Sequence, residues 1–317
     1  MNILVTAVGS LAGEIVLDIL NKEENYIIGT DSLLSKNSTA ANLCDRFYKI
    51  PNAQHKNYIS SLFDISVETG VELIIPLVDY EIDQLDKYRD MFEEKGIHIA
   101  MPTNSALKIC RDKYNLSQFA NKLDKVDAIP TFQLNQLKYT ELQKPLIAKL
   151  RNGRSSEGLK RITNFNHLST LSKDYVLQPC IEGAVFTVDA IRDSYGNFFS
   201  IAREEIVRTK NGCGLKVKIE RNSKLNSLTK KICDALQITG CINIEFIYDG
   251  NKYWLMDVNP RFSAGIKFSF LAGYDFITNQ VNCRLKKAID EQLNLKEGNY
   301  EMAERRWTEL SAPCTFK

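Results

Sequence analysis

The pattern of apolar and polar positions changes character about a third of the way along the chain. Up to about residue 100, short unbroken apolar runs alternate with segments of helical spacing. NILVTAV is such a run, of the kind that parallel strands buried on both faces require. In LAGEIVLDILNK, Leu11, Ile15, Leu17, Ile19 and Leu20 lean mostly to one side, which predicts a helix. YIIGTD, a helix beginning near Asn57, ELIIPLVD, a helix around QLDKYRDMFEEKG, and IHIAMP continue the alternation. Strand and helix taking turns in this way predict an α/β layer.

From Ser105 the pattern is different. SALKICRDKYNLSQFANKL reads as one continuous helix, and AIPTFQL as an edge strand opened by Pro130. PLIAKL, YVLQPCI, AVFTVDAIRD, FFSIAREEIVRT, GCINIEFIYD and YWLMDVNP read as strands, with a helix near SLTKKICDALQ. Turn signals such as SYGN and YDGN between them favour antiparallel hairpins. The expectation is an α/β leading domain over residues 1–105 and an α+β remainder. No repeat or low-complexity tract interrupts the chain.

Composition narrows the field. The 317 residues carry 41 basic and 39 acidic side chains, a net charge of +2, without the basic excess of nucleic-acid coats or membrane-surface proteins. Any anionic ligand has to be met by local cations. Eight cysteines occur without a CxxC pair, which supports neither a zinc ribbon nor a redox dithiol. The first apolar stretch lacks a basic leader and is interrupted by Glu14 and Asp18, unlike a signal peptide or a membrane span. These features fit a reduced, cytoplasmic, enzyme-like chain.

Four segments carry candidate chemistry. GSLAG (9–13) has part of a dinucleotide turn, with Asp31 placed as a ribose acid would be, but supplies two glycines where three are needed. An anion at the following helix start and a turn without a ligand both remain open. RNGRSSEG (151–158) offers backbone N–H groups, hydroxyls and charge for a phosphate, or forms a polar surface hairpin. Next to it, Lys149 ends an apolar strand, an expensive place for an ammonium without an anionic partner. In YWLMDVNPRFSAG, Asp257, Asn259 and Arg261 alternate along one strand and so share a face. Glu245 lies one hairpin earlier and would fall opposite Asp257. Two carboxylates and an amide suit Mg²⁺, with Arg261 left for a terminal phosphate. A buried Asp257–Arg261 ion pair is the alternative. Arg203 and Arg208, in AREEIVRTKNGCG, are placed either to bind a carboxylate or to pair with Glu204 and Glu205 on a solvated hairpin.

Together these segments resemble the ATP-grasp superfamily, the carboxylate–amine ligase group that includes D-alanine–D-alanine ligase, biotin carboxylase and the carbamoyl phosphate synthetase large subunit. DVNPR resembles that family's metal-and-phosphate strand, GRSSEG its glycine-rich phosphate loop, and LQPCIEGAVFTVD its adenine hinge. The resemblance spans nearly the whole chain. It implies a Rossmann-like leading domain over 1–105, a smaller ATP-grasp lobe over 106–180 and a larger lobe with the metal site over 181–317, with mostly antiparallel sheets in the two lobes. It implies ATP with Mg²⁺, or Mn²⁺ in its place. Lys113, Lys149, Ser155 and Ser156 are implied for the phosphates, and Gln178, Ile181 and Glu182 for the hinge. Glu245, Asp257 and Asn259 are implied for the metal, with Arg261, Arg203 and Arg208 at the reacting groups. Val185 departs from the family, which places an acid there for the ribose. The implied reaction activates a carboxylate as an acyl phosphate and passes it to an amine, needing no histidine, so His55, His98 and His167 read as surface or packing residues. The implied partners are small molecules, not nucleic acid or membrane, and dimers are common in the family. The alternative is a catalytically reduced ATP-binding subunit of a carbamoyl-phosphate-synthetase-like assembly.

Overall fold

The computed structural model describes residues 1–33, 36, 38–136, 145–154, 157–210, 212–290 and 294–302. Its first layer is a five-stranded parallel sheet: β1 (Asn2–Val5), β2 (Tyr26–Asp31), β3 (Arg46–Lys49), β4 (Leu73–Ile75) and β5 (His98–Ile99), in the order β3-β2-β1-β4-β5. Helices α1 (Gly13–Leu20), α2 (Thr39–Asn42), α3 (Tyr58–Glu68), α4 (Asp79–Lys87) and α5 (Arg89–Glu93) connect the strands. The helix expected around QLDKYRDMFEEKG is two helices, broken at Tyr88, whose backbone (φ −117°, ψ 19°) leaves the helical region.

The continuous helix expected from Ser105 is also broken, into α6 (Asn104–Cys110) and α7 (Lys113–Ala120). Asp112 is responsible: its backbone is extended and its carboxylate accepts from the amides of Tyr114 and Asn115, starting a new helix. Ala106, Cys110, Leu116 and Ala120 pack in one core with Ile242, Ile244 and Phe246. By its packing this segment sits on the large sheet, while the amino end of α7 carries Lys113 to the sheet junction.

The stretch AIPTFQL serves two sheets. β6 (Asp127–Ala128) pairs in parallel with the edge of the large sheet, and β7 (Phe132–Gln133) pairs with the small one. Pro130, which has no N–H to donate, lies between them. The small sheet has the order β7-β10-β8-β9, with β8 (Leu146–Leu150), β9 (Lys160–Ile162) and β10 (Tyr175–Pro179), all antiparallel.

The large sheet is β16-β13-β12-β11-β14-β15-β6. It adds β11 (Ala184–Arg192), β12 (Phe198–Arg208), β13 (Gly214–Ile219), β14 (Gly240–Tyr248), β15 (Tyr253–Asn259) and β16 (Gly298–Glu301). The turns at SYGN and YDGN close antiparallel hairpins, as their composition predicts. α8 (Ser223–Ala235) covers one face, sharing a core with Val188, Ala190, Ile244 and Phe246. The sequence reading did not name α9 (Ile266–Leu271) or α10 (Phe276–Arg284). Phe276 and Ile277 of α10 pack in one continuous core with Ile3, Val5 and Leu17 of the first layer and Ile191 and Ile201 of the large sheet.

Candidate functional site

Alternation along the large sheet builds the site. Its apolar face holds Val188, Ile244, Phe246 and Val258 against α7 and α8. The residues between them point the other way. The register then makes a row across four strands: Arg203 opposite Thr187, Thr187 opposite Glu245, and Glu245 opposite Asp257. A second row sets Asp189 opposite Asn243 and Asn243 opposite Asn259. The register shifts beyond Glu245, where Phe246 pairs with Leu255 and Met256 is the extra residue of a bulge. Without that bulge Tyr253, Leu255 and Asp257 would keep one alternation, and Leu255, buried here, would share the face of Asp257.

The polar face opens into a cavity of about 260 Å³, closed from the other side by the small sheet. Lys149 of β8, Gly153 and Arg154 reach it from that sheet, and Lys113 from α7. Lys113 Nζ lies 2.9 Å from Asp257 Oδ1 and donates to the Gly153 carbonyl at 2.9 Å. Arg208 lies 3.1 Å from Glu245 Oε2 and donates to the Gly212 carbonyl at 2.7 Å. Burial pushes the Lys149 ammonium below its ordinary value, opposed by nearby Asp257. Burial also pushes the Glu245 carboxyl up, with Arg208 opposing. For Asp257, burial acts upward, but Lys113 and Lys149 outweigh it and hold the carboxyl below its usual range. A cavity whose buried side chains carry both signs is suited to gripping a polyanion together with a cation.

The three residues expected at a metal are brought together. Glu245 and Asp257 face each other, and the Asn259 amide donates to Asn243 Oδ1 at 3.0 Å, which leaves Asn259 Oδ1 as an acceptor. An all-oxygen set with two carboxylates fits Mg²⁺, whose remaining positions belong to water and phosphate oxygens. Among the described residues no cluster of three or more His, Cys, Asp and Glu side chains offers a softer alternative.

Arg261 also reaches the cavity, but not through an ion pair with Asp257. Its guanidinium meets Asp79 Oδ2 of the first layer at 2.8 Å and the Phe262 carbonyl at 2.9 Å. Asp79 and Asp83, on α4, gather three arginines: Arg261, Arg111 (3.4 Å from Asp79 and 2.8 Å from Asp83) and Arg154 (2.7 Å from Asp83). Burial acts upward on the Asp79 carboxyl, yet Arg261 and Arg111 bring it down to about 2. Arg154 lies 3.7 Å over the Tyr80 ring, and the Tyr80 hydroxyl donates to Glu157 at 3.0 Å. The first layer thereby holds both the loop after β8 and the end of β15.

Arg203 sits differently from the expectation of a substrate-binding guanidinium. It is 2% exposed and held by Asp189, by Glu205 at 3.2 Å and by Ser263 at 2.9 Å. Most of its donors are already used inside the protein. Gln178 is buried on β10 and donates to the Thr131 hydroxyl at 2.9 Å. Glu182 is exposed near Arg161, and Ile181 before it is half-buried; neither they nor Gln178 line the cavity. Ser155 and Ser156 lie outside the described residues. His55, His98 and His167 are exposed and away from the cavity.

At the first turn the amide and the acid that a dinucleotide would use meet each other. Gly9 donates its N–H to Asp31 Oδ2 at 2.9 Å, and Leu33 donates to Asp31 Oδ1 at 2.7 Å. The acid that a dinucleotide site would present to ribose is spent on the turn itself.

Arg111, Thr187 and Asn243 belong to the site but were not assigned roles from sequence, whereas Asp79 of the VDYE loop was expected at a wall of the pocket and Arg154 in the phosphate loop. Asn243 was accessible to the same argument as Asn259, because it lies two residues before Glu245 on one strand. The pairing of Asp79 with Arg261 spans 182 positions and leaves no periodic signal.

Comparisons with known proteins bear on the fold. Residues 172–305 match the family described as "ATP-grasp in the biosynthetic pathway with Ter operon", and residues 3–100 match "PylC-like, N-terminal domain". The carbamoyl phosphate synthase large chain of Clostridium acetobutylicum is 23% identical over 270 residues, covering 77% of this chain and 25% of that protein. The chain thus spans about a quarter of that relative, 25% of its length. The fold matches the biotin carboxylase–ATP analogue complex of Campylobacter jejuni with a TM-score of 0.80 at 17% identity, covering 94% of this chain and 74% of that one. It also matches the biotin carboxylase domain dimer of Hydrogenobacter thermophilus 2-oxoglutarate carboxylase, solved with MgADP, ADP and bicarbonate (TM-score 0.81, 16% identity, 94% and 73% covered). For Staphylococcus aureus N5-carboxyaminoimidazole synthetase with ADP the values are 0.73, 14%, and 93% and 79%. With its parallel leading layer and two mostly antiparallel sheets enclosing a cation- and carboxylate-lined cavity, the chain shares the fold of these structures, and over residues 172–305 it matches an ATP-grasp family model.

Proposed function

We propose that the protein is an ATP-dependent ligase that phosphorylates a carboxylate and joins the acyl group to an amine, releasing ADP and phosphate. The observation that carries this reading is the Glu245–Asp257 cross-strand pair with Lys113 against it and Lys149 beside it. Glu245, Asp257 and Asn259 would hold Mg²⁺, which supplies charge neutralisation at the phosphate oxygens. Lys149 and Lys113 bind the phosphate tail of ATP as point charges. Ser155, Ser156 and the hinge residues Gln178, Ile181 and Glu182 are assigned to the same nucleotide by their place in the chain.

In the first step a carboxylate oxygen of the substrate attacks the γ-phosphorus. The bond to the bridging oxygen breaks, and its electron pair leaves with ADP. Arg261 and Arg208 line the space where the transferred phosphoryl group accumulates charge. In the second step an amine nitrogen attacks the acyl carbon, the carbon–oxygen bond to phosphate breaks, and the nitrogen loses a proton. The protein supplies position and charge compensation, and no covalent intermediate on a side chain is needed. The full chain with Mg²⁺, ATP, a panel of carboxylic acids and a panel of amines should release ADP only when a suitable acid is present. ADP release that ignores every acid, or an absence of ATP binding, would overturn the reading.

A further inference from the structure

Resting on that ligase reading, we infer that Glu205 forms the subsite for the amino group of the nucleophilic substrate. Glu205 lines the same cavity as Glu245 and Asp257, on the strand that also carries Arg208. Its residue is 8% exposed, yet only one carboxylate oxygen is engaged: Oε1 accepts from Arg203 Nε at 3.2 Å, and Oε2 is buried with no hydrogen-bond partner. An unpaired buried carboxylate oxygen is costly and calls for a donor.

Local charge points to a cationic donor. Behind Glu205 lies Asp189, 1% exposed, bonded to Arg203 and to the Ser269 hydroxyl at 2.6 Å, with its own Oδ1 also unpartnered. Arg203 is thus one guanidinium shared by two carboxylates, and the cluster is left an acid in excess. Arg208, the nearest other cation on the strand, is already committed to Glu245 and the Gly212 carbonyl. The segment expected to hold a carboxylate therefore presents a negative charge. An ammonium, or an amine donating N–H, is the chemical class that satisfies it.

Gly214 makes room for the Glu205 carboxylate: a Cβ there would stand 1.7 Å from Oε2, so any other residue would push the oxygen from this position. Cys213 and Gly212 complete this wall of the cavity without adding a competing charge. The metal-type carboxylates lie on the same face of the sheet, on β14 and β15, with β11 between them and β12. A nitrogen held at Glu205 is therefore delivered from the β12 side, toward an acyl group formed beside Glu245.

The test uses the full chain saturated with Mg²⁺ and a non-hydrolysable ATP analogue, titrated calorimetrically with ammonium, ethylamine and 1,4-diaminobutane, each paired with its hydroxyl counterpart (water, ethanol and 1,4-butanediol). The wild type should bind at least one of the two carbon-chain amines about tenfold or more tightly than its alcohol. Glu205→Gln should remove that preference and leave analogue affinity within about twofold of wild type. Undiminished amine preference in Glu205→Gln overturns the assignment, as does a wild type that binds the analogue but treats every amine like its alcohol. The wild-type comparison stands even if Glu205→Gln does not fold. Failure to bind the analogue at all would instead strike the ligase reading, so the two are told apart in one titration series.

Discussion

Asp79 joins the first layer to the far end of β15, and removing its charge should loosen the whole assembly. It is 4% exposed and paired with Arg261 at 2.8 Å and Arg111 at 3.4 Å. Its carboxyl is held at about 2 against an ordinary 3.8. At roughly 1.36 kcal/mol per unit that difference corresponds to about 2 kcal/mol. Because the folded value is depressed, this stability is fully present above an unfolded value near 3.8 and is lost as pH falls through about 2. Asp79→Asn should therefore cost about 2 kcal/mol at pH 7, or a fall in melting temperature of roughly 5 °C. The deficit should be the same at pH 8 and shrink in acid. Combining Asp79→Asn with Arg261→Met should cost less than the sum of the two single changes by about 1 kcal/mol or more, because each single change strands the partner. Scanning calorimetry of the four proteins across pH provides the measurement. A melting temperature for Asp79→Asn within about 1 °C of wild type, with additive behaviour in the double variant, would refute the reasoning.

Further outcomes can be stated for the cavity and the packing. Lys149→Met should weaken Mg-ATP binding about tenfold or more by calorimetry, since no other ammonium on β8 replaces it; unchanged affinity would remove it from the phosphate site. Asp257→Asn should lower acid-dependent ADP release by about a hundredfold or more, read in a coupled assay, and its thermal stability should fall because Lys113 loses its partner at 2.9 Å. Chelation of Mg²⁺ should weaken ATP binding to the wild type, and Glu245→Gln with Asp257→Asn should no longer respond to the chelator. Gly13→Ala should yield little folded protein, because the new Cβ would stand 1.9 Å from the backbone oxygen of Val8; a melting temperature like wild type would show that α1 can shift.

The sequence disclosed the parts of this site that repeat at short range. Glu245 and Asp257 sit on consecutive strands joined by a turn, so alternation and turn chemistry together were enough to set them opposite each other. The incomplete glycine pattern at GSLAG was legible too, and Asp31 on the Gly9 amide is its structural counterpart. Where local preference met a competing interaction, the reading failed. Helical spacing runs straight through Arg111 and Asp112, but the Asp112 carboxylate offers the amides of Tyr114 and Asn115 a better partner than a continuing helix. Arg203 reads as an available cation because, beyond nearby Glu205, its acceptors Asp189, Ser263 and Ser269 come from distant positions in the chain. Likewise Asp79 and Asp83 look like ordinary acids at a helix start until the fold surrounds them with three arginines.

The core that runs from α1 through α10 to the large sheet bears on how this chain can be rebuilt. Its leading layer is not an interchangeable cap. A chimera that imports the parallel sheet of a relative would bring the wrong shapes against Phe276 and Ile277, and would also strip Arg261 of Asp79. Grafts that carry the matching surface of α10 along with the incoming sheet should survive where a cut at the apparent boundary fails.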